Sequence, residues 1–226
     1  MKKSTIVTLV VLVVIFLDQA LKFWIKTSFH YSQEQLILGL NWARLHFVEN
    51  NGMAFGLSFG GITGKILLSI FRIVAVGVLI YYIRYLFRQK ASLSILLSFA
   101  LVLAGAIGNI LDSAFYAMIF SETPVHEIGV AEIFPKGGGY GHFLQGKVVD
   151  MFYFPMFQGE FPSWFPFLGG ENYLFFRPVF NLADAAITMG VISLLLFQKN
   201  FFRNVDDSKT EIEQTVAVTE DVNEEA

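Results

Sequence analysis

Two aspartates stand where so apolar a chain would not place a charge without a use for it. Asp184 lies in Phe180-Asn181-Leu182-Ala183-Asp184-Ala185-Ala186-Ile187, at the head of an apolar run that continues from Val191 to Phe197. An ionisable group inside a membrane helix or at its edge is expensive, and marks a functional site with a partner. The partner the sequence offers is Asp150, in Gly146-Lys147-Val148-Val149-Asp150-Met151. Two carboxylates in contact cannot both ionise readily, so the pair tends to share a proton. The ionised member can take a proton from water while the neutral one polarises a carbonyl. That is the division of labour of an aspartic-type hydrolase, and it calls for neither metal nor cofactor. The pattern does not say which carboxyl plays which part.

The composition fits a membrane setting. Of 226 residues, 54% are hydrophobic and 15% charged, and the mean hydropathy is +0.56. Soluble domains average about 25% charged residues. The net charge of -3 comes mostly from an acidic C-terminal stretch, and no basic stripe suits a nucleic-acid partner. Cysteine is absent, which excludes disulfides, thiol nucleophiles and cysteine metal sites together.

Four apolar runs read as spans, at about 4–25, 62–87, 93–120 and 178–197, each near the roughly 20 residues that cross a bilayer. The first begins like a signal peptide after Lys2-Lys3, but Asp18 stands where small residues would be cleaved and the apolar character resumes at Leu21. We read it as an uncleaved helix. Residues 1–203 form one membrane domain, and 204–226 are an acidic tail expected to be disordered. Basic residues cluster at Lys2-Lys3, Arg84–Lys90 and Lys199–Arg203, so the positive-inside rule puts both termini in the cytoplasm. Loops 27–61 and 121–177 then face outside. Leu36 to Val48 partly alternates and reads as short strands. Asn50-Asn51-Gly52 is a turn signal. Gly56-Leu57-Ser58-Phe59-Gly60 matches a nucleophile-elbow spacing but lacks its strand–turn–helix context, and we take it as coincidence. Segment 121–177 is too broken for a helix and too aromatic for free disorder. Its His126 and His142 have no zinc-like spacing with acids.

Further polar residues gather near the outer ends of the spans. Asp184 is expected about four to six residues into its helix, roughly 6–9 Å below the entry. Asp18 and Lys22 are four apart, in the favourable order for an ion pair. They read equally as an interfacial pair with a snorkelling lysine or as support for a site. Gly105 and Gly108 allow close helix contact. Asn109 and Asp112 share one face and, on pattern alone, read first as interhelical hydrogen-bonding glue. Arg72 sits well inside the second span, and the sequence alone gives no account of its charge.

Taken in order, five segments give the chain a family likeness. These are Asp18-Gln19-Ala20-Leu21-Lys22, Asn50-Asn51-Gly52-Met53-Ala54-Phe55, Gly105-Ala106-Ile107-Gly108-Asn109-Ile110-Leu111-Asp112, Val148-Val149-Asp150 and Phe180-Asn181-Leu182-Ala183-Asp184. With four spans, the chain resembles the lipoprotein signal peptidases (signal peptidase II), bacterial membrane aspartic peptidases. The resemblance implies four transmembrane helices under a small extracytoplasmic β-cradle, in the inner membrane. It implies Asp150 and Asp184 as the catalytic dyad. Asp18, Lys22, Asn50, Gly52, Gly108, Asn109, Asp112, Asn181 and Ala183 would support or line the site. It also implies the substrate, a diacylglyceryl-modified prolipoprotein cut just before the lipidated cysteine. The expected state is a monomer whose partners are that substrate and membrane lipid, with no cofactor and no metal.

The chain departs from the family pattern at two places. Ser113 stands where the family usually has Arg, and Arg72 or Lys147 could supply the missing charge. The stretch between Asp112 and Asp150 is much longer than the family's, as is that between Asp150 and Asp184, which suggests an added lid or partner surface. The residues without the resemblance also fit an ion- or proton-coupled transporter, or a structural membrane subunit. Against the transporter stand the absence of internal repeats and the clustering of acids at one face.

Overall fold

In a computed structural model, the chain is described at residues 1–51, 61–160, 162, 164, 166, 170, 172–175 and 178–196. Long apolar runs set the framework. Helices α1 (Lys3–Ser28), α2 (Gly61–Arg88) and α3 (Leu93–Ile119) are each long and apolar enough to cross a membrane, and a shorter apolar helix α4 covers Leu182–Leu196. Many large apolar side chains on them are exposed, among them Leu12 and Phe16 on α1 and Phe71, Val74 and Val78 on α2. That is the surface lipid would cover. The start of α1, the end of α2 and the start of α3 meet in one core cluster of Val7, Leu86, Ala91, Ile95, Leu96 and Ala100.

At the opposite end sits a four-stranded antiparallel sheet in the order β1–β2–β3–β6, from Glu34–Leu36, Arg44–Asn50, Val148–Tyr153 and Val179–Phe180. A separate hairpin pairs β4 (Phe157–Glu160) with β5 (Asn172–Phe175). The sheet is fastened to the helix ends by a core of Ile25 and Phe29, Phe47, Tyr116 and Phe120, and Val149 and Met151. Side chains alternate along a strand, so burying Val149 and Met151 there turns Asp150 to the other face.

The architecture is a helical membrane protein with a small sheet, as expected; of the stretch 36–48 expected as short strands, 44–48 lies in β2 and Leu36 ends β1, while 37–43 is a turn between them. The last span begins later than position 178. Val179 and Phe180 pair with Tyr153 and Phe152 as β6, so the helix starts at Leu182 and Asp184 is its third residue rather than its fourth to sixth. The strand ladder claims backbone that the hydropathy assigned to the helix. Gly52, the Gly56–Gly60 pattern and the tail 204–226 lie outside the described residues.

Candidate active site

The two aspartates are brought together by a strand pairing. Phe152 on β3 is opposite Phe180 on β6, which places Asp150 beside Asn181, and Asn181 is the cap of α4. Its Oδ1 accepts from the Asp184 N–H (2.9 Å), while Asp184 Oδ2 reaches back to the Asn181 N–H (3.4 Å). This reciprocal cap satisfies backbone donors that a helix start leaves open. The same Asn181 gives its Nδ2 to Asp150 Oδ1 at 2.7 Å and to Asn109 Oδ1 at 3.1 Å. Asn109, on α3, donates to Asp184 Oδ1 at 2.8 Å. Asn50, the last residue of β2, donates to Asp150 Oδ2 at 3.2 Å. Three side-chain amides therefore hold the two carboxyls. Burial, and then the charge of Asp184, push the Asp150 carboxyl up to about 7. Asp150 is 3% exposed and Asp184 is half-buried.

Behind this pair lies a second, closed set. Lys22 on α1 sits between Asp18 (2.9 Å) and Asp112 (2.8 Å), and also donates to Asn109 Oδ1 (3.0 Å). All of these side chains are buried. Each aspartate also holds backbone that leads to the first pair. Asp18 Oδ1 accepts from the Ala183 N–H at 2.8 Å, and Asp112 Oδ2 from the Val149 N–H at 3.3 Å. These are the residues just before Asp184 and Asp150. Close approach depends on Gly108, where a Cβ would stand 2.7 Å from Asp18 Oδ2, and on Gly105, where it would run into the Ala183 carbonyl. The expectation of small residues at a helix contact is thus met between α3 and α4.

The chain matches the family model described as signal peptidase (SPase) II over residues 10–200. It is 43% identical to a lipoprotein signal peptidase of Porphyromonas gingivalis over 220 residues, covering 96% of this chain and 94% of the relative. A lipoprotein signal peptidase of Amoebophilus asiaticus is 36% identical over 189 residues, covering 83% and 75%. The chain belongs to the signal peptidase II family. A solved structure described as a bacterial membrane enzyme shares the fold, with a TM-score of 0.55 at 22% identity, covering 88% of this chain and 91% of that one.

Within this signal peptidase II fold, every candidate dyad or supporting residue that the structure describes falls in one connected network. Asp150, Asp184, Asn50, Asn109 and Asn181 form the pair and its amides. Asp18, Lys22, Asp112, Gly108 and Ala183 form the layer behind. Asn109 and Asp112 do join helices, as the simpler reading held, but each also reaches the aspartate pair or its flanking backbone. Lys22 does not snorkel, since it is fully buried between two acids.

Several residues escaped the sequence reading. Gln19 Nε2 donates to Asp112 Oδ1 (2.8 Å), and Tyr116 donates its hydroxyl to Gln19 Oε1 (3.1 Å). Lys26, one turn beyond Lys22, is buried against Glu49 and Thr123. Its spacing to Asp18 and Lys22 (18, 22, 26) was the available signal. The two candidate replacement cations also separate. Lys147 faces Glu122 (3.2 Å) and Glu49 (3.5 Å). Arg72, on the same face of α2 as Lys65 and Ser69, lies within electrostatic range of Asp184, Asp112 and Asp150.

Proposed function

We propose that this protein removes signal peptides from diacylglyceryl-modified prolipoproteins, cutting before the lipidated cysteine with Asp150 and Asp184 as the catalytic pair. The observation that carries the reading is the single asparagine, Asn181, whose side chain donates to the Asp150 carboxyl and whose backbone N–H donates to the Asp184 carboxyl. Asp184 is the more accessible of the two and takes the proton of the attacking water. Asp150, buried and raised to about 7, holds the shared proton and donates it to the scissile carbonyl oxygen. The water oxygen bonds to the carbonyl carbon, giving a tetrahedral diol. The proton now on Asp184 then passes to the leaving nitrogen as the C–N bond breaks, and a diol hydroxyl returns its proton to Asp150. The products are a signal peptide with a free carboxyl and a lipidated cysteine with a free amine.

We place both termini in the cytoplasm and the sheet end outside, from the clustering of basic residues, so the pair acts near the outer surface. Residues 1–203 act as one membrane domain. Arg72 stands in for the cation absent at Ser113, because its charge reaches both aspartates. Cleavage of a diacylglyceryl-modified prolipoprotein by purified protein in detergent tests the reading. Wild type should release the signal peptide without any ion gradient, and Asp150→Asn and Asp184→Asn should not. A folded wild type that cuts nothing would return the transporter reading, and Asn variants that cut equally well would remove the pair from the chemistry.

A further inference from the structure

The loop between α3 and β3 is folded back on the helix it leaves. The Phe134 N–H donates to the Ile119 carbonyl (2.7 Å), Tyr140 to Phe120 (3.1 Å), Gly141 to Ala117 (3.0 Å), Leu144 to Ala114 (3.3 Å) and Gly146 to Ser113 (2.8 Å). From Tyr140 to Gly146 the acceptors run steadily back from Phe120 to Ser113, so 140–146 lies along the last two turns of the helix. Gly139 and Gly146 make this possible, because a Cβ at either would strike the α3 backbone. At the end of the loop, the Lys147 N–H donates to the Tyr140 hydroxyl (2.7 Å) and Lys147 Nζ pairs with Glu49 and Glu122. Two aromatic rings stand exposed on it, beside the exposed Lys136 and His142. Phe143 is 53% exposed and Phe134 is 74% exposed.

The outward rings continue a surface already lipid-facing. Phe143 packs edge-to-face on Phe115 of α3, with centroids 5.8 Å apart, and Phe115 and Met118 are themselves exposed on that apolar helix. Phe134 also adopts a φ of 49°, a left-handed backbone that an exposed position would more readily fill with Gly or Asn. Keeping a bulky ring there in water has no evident gain.

We propose that the loop 133–146 is a membrane foot that dips into the outer leaflet, with Phe143 inserted beside Phe115 and Phe134 nearer the headgroups. Phe115 lies four residues before Ile119, so Phe143 sits about 6 Å deeper than Phe134 at 1.5 Å per residue. Because Gly146 leads through Lys147 directly into β3, the foot ties the strand carrying Asp150 to the depth of the bilayer surface. The inference rests on α3 crossing the membrane and not on the chemistry of the aspartate pair.

The chain has no cysteine, so Phe143→Cys, Phe134→Cys and Glu127→Cys each accept one environment-sensitive fluorophore on the full chain. The labelled proteins are placed in phosphatidylethanolamine–phosphatidylglycerol vesicles containing brominated acyl chains, with iodide as the aqueous quencher. The Phe143 label should be quenched by bromine several-fold more than the Glu127 label and be shielded from iodide, with Phe134 between them. Phe143→Trp in a chain whose Trp24, Trp42 and Trp164 are replaced by Phe gives the same reading without a label. Asp150→Asn should leave the pattern unchanged whether or not it stops cleavage. Iodide quenching at Phe143 equal to that at Glu127 would overturn the proposal by placing the loop in water. Protection from both quenchers would overturn it too, by showing that protein, such as a second copy, covers the ring.

Discussion

The molecule contains two pairs of aspartates a few residues apart in space, built from the same side chain and put to opposite ends. Asp18 and Asp112 have Lys22 between them and are fully buried. Asp150 and Asp184 have Asn181 between them, and Asp184 keeps access to the surroundings. A lysine sets a positive charge within bonding distance of both its neighbours. An asparagine fixes geometry but adds no charge, and burial together with the charge of Asp184 pushes the Asp150 carboxyl up to about 7. In the proposed reading, the bridging residue, more than the acids, separates the structural pair from the pair that does acid–base chemistry.

The comparison breaks most visibly at the acids of the open pair. Asp150→Asn or Asp184→Asn should lower the cleavage rate by roughly 10²–10⁴-fold, the usual range for a lost general acid or base, while the protein stays folded in detergent. Lys22→Met should do the reverse. It strands two buried carboxylates, a loss of about 3–5 kcal/mol of stability, readable as a lower unfolding midpoint. A Lys22→Met protein as stable as wild type would mean that the closed set is not holding the helices.

A smaller effect is expected at the bridge. Asn181→Ala removes the donor to Asp150 and the cap of α4, with hydrogen bonds to charged groups contributing about 1.5–3 kcal/mol. Part should appear as a slower single-turnover rate and part as lower stability. A variant that loses stability alone would reduce Asn181 to a helix cap.

The finest distinction is in pH. Asp150 ionises at about 7 in the folded protein, against an ordinary 3.8. Between those values the folded state binds more protons than the unfolded state, so stability falls as pH rises through that window. Asp150→Asn should abolish this fall. Cleavage should also decline above about pH 7, as the donated proton is lost. A flat stability profile over that range in the wild type would contradict the assignment of the proton to Asp150.

Much of this was legible in the sequence because charges in an apolar chain are conspicuous. Asp18, Lys22, Asn109, Asp112, Asp150 and Asp184 stood out for that reason, and helical spacing grouped the first four correctly. What joins the acids was not legible. The pairing of Phe152 with Phe180 depends on a two-residue strand that hydropathy merged with the helix after it. Lys26 and Glu49 were hidden for a related reason. Each looks like an ordinary boundary residue until the sheet closes over the end of α1 and buries them. The stretch between Asp112 and Asp150 reads as longer than the family's, but its path back along α3 is set by backbone hydrogen bonds and glycines that have no periodic signature.

One measurement tests the contrast between the pairs most directly, namely unfolding midpoint and cleavage rate determined on the same preparations of Asp150→Asn and Asp112→Asn. Asp150→Asn should be inert and at least as stable as wild type near pH 7, since it removes a carboxyl whose ionised form burial penalises. Asp112→Asn should unfold earlier, because Lys22 loses a partner, yet cut in proportion to the protein that remains folded. The account would be contradicted if Asp150→Asn cut at the wild-type rate, or if a fully folded Asp112→Asn were the inert one.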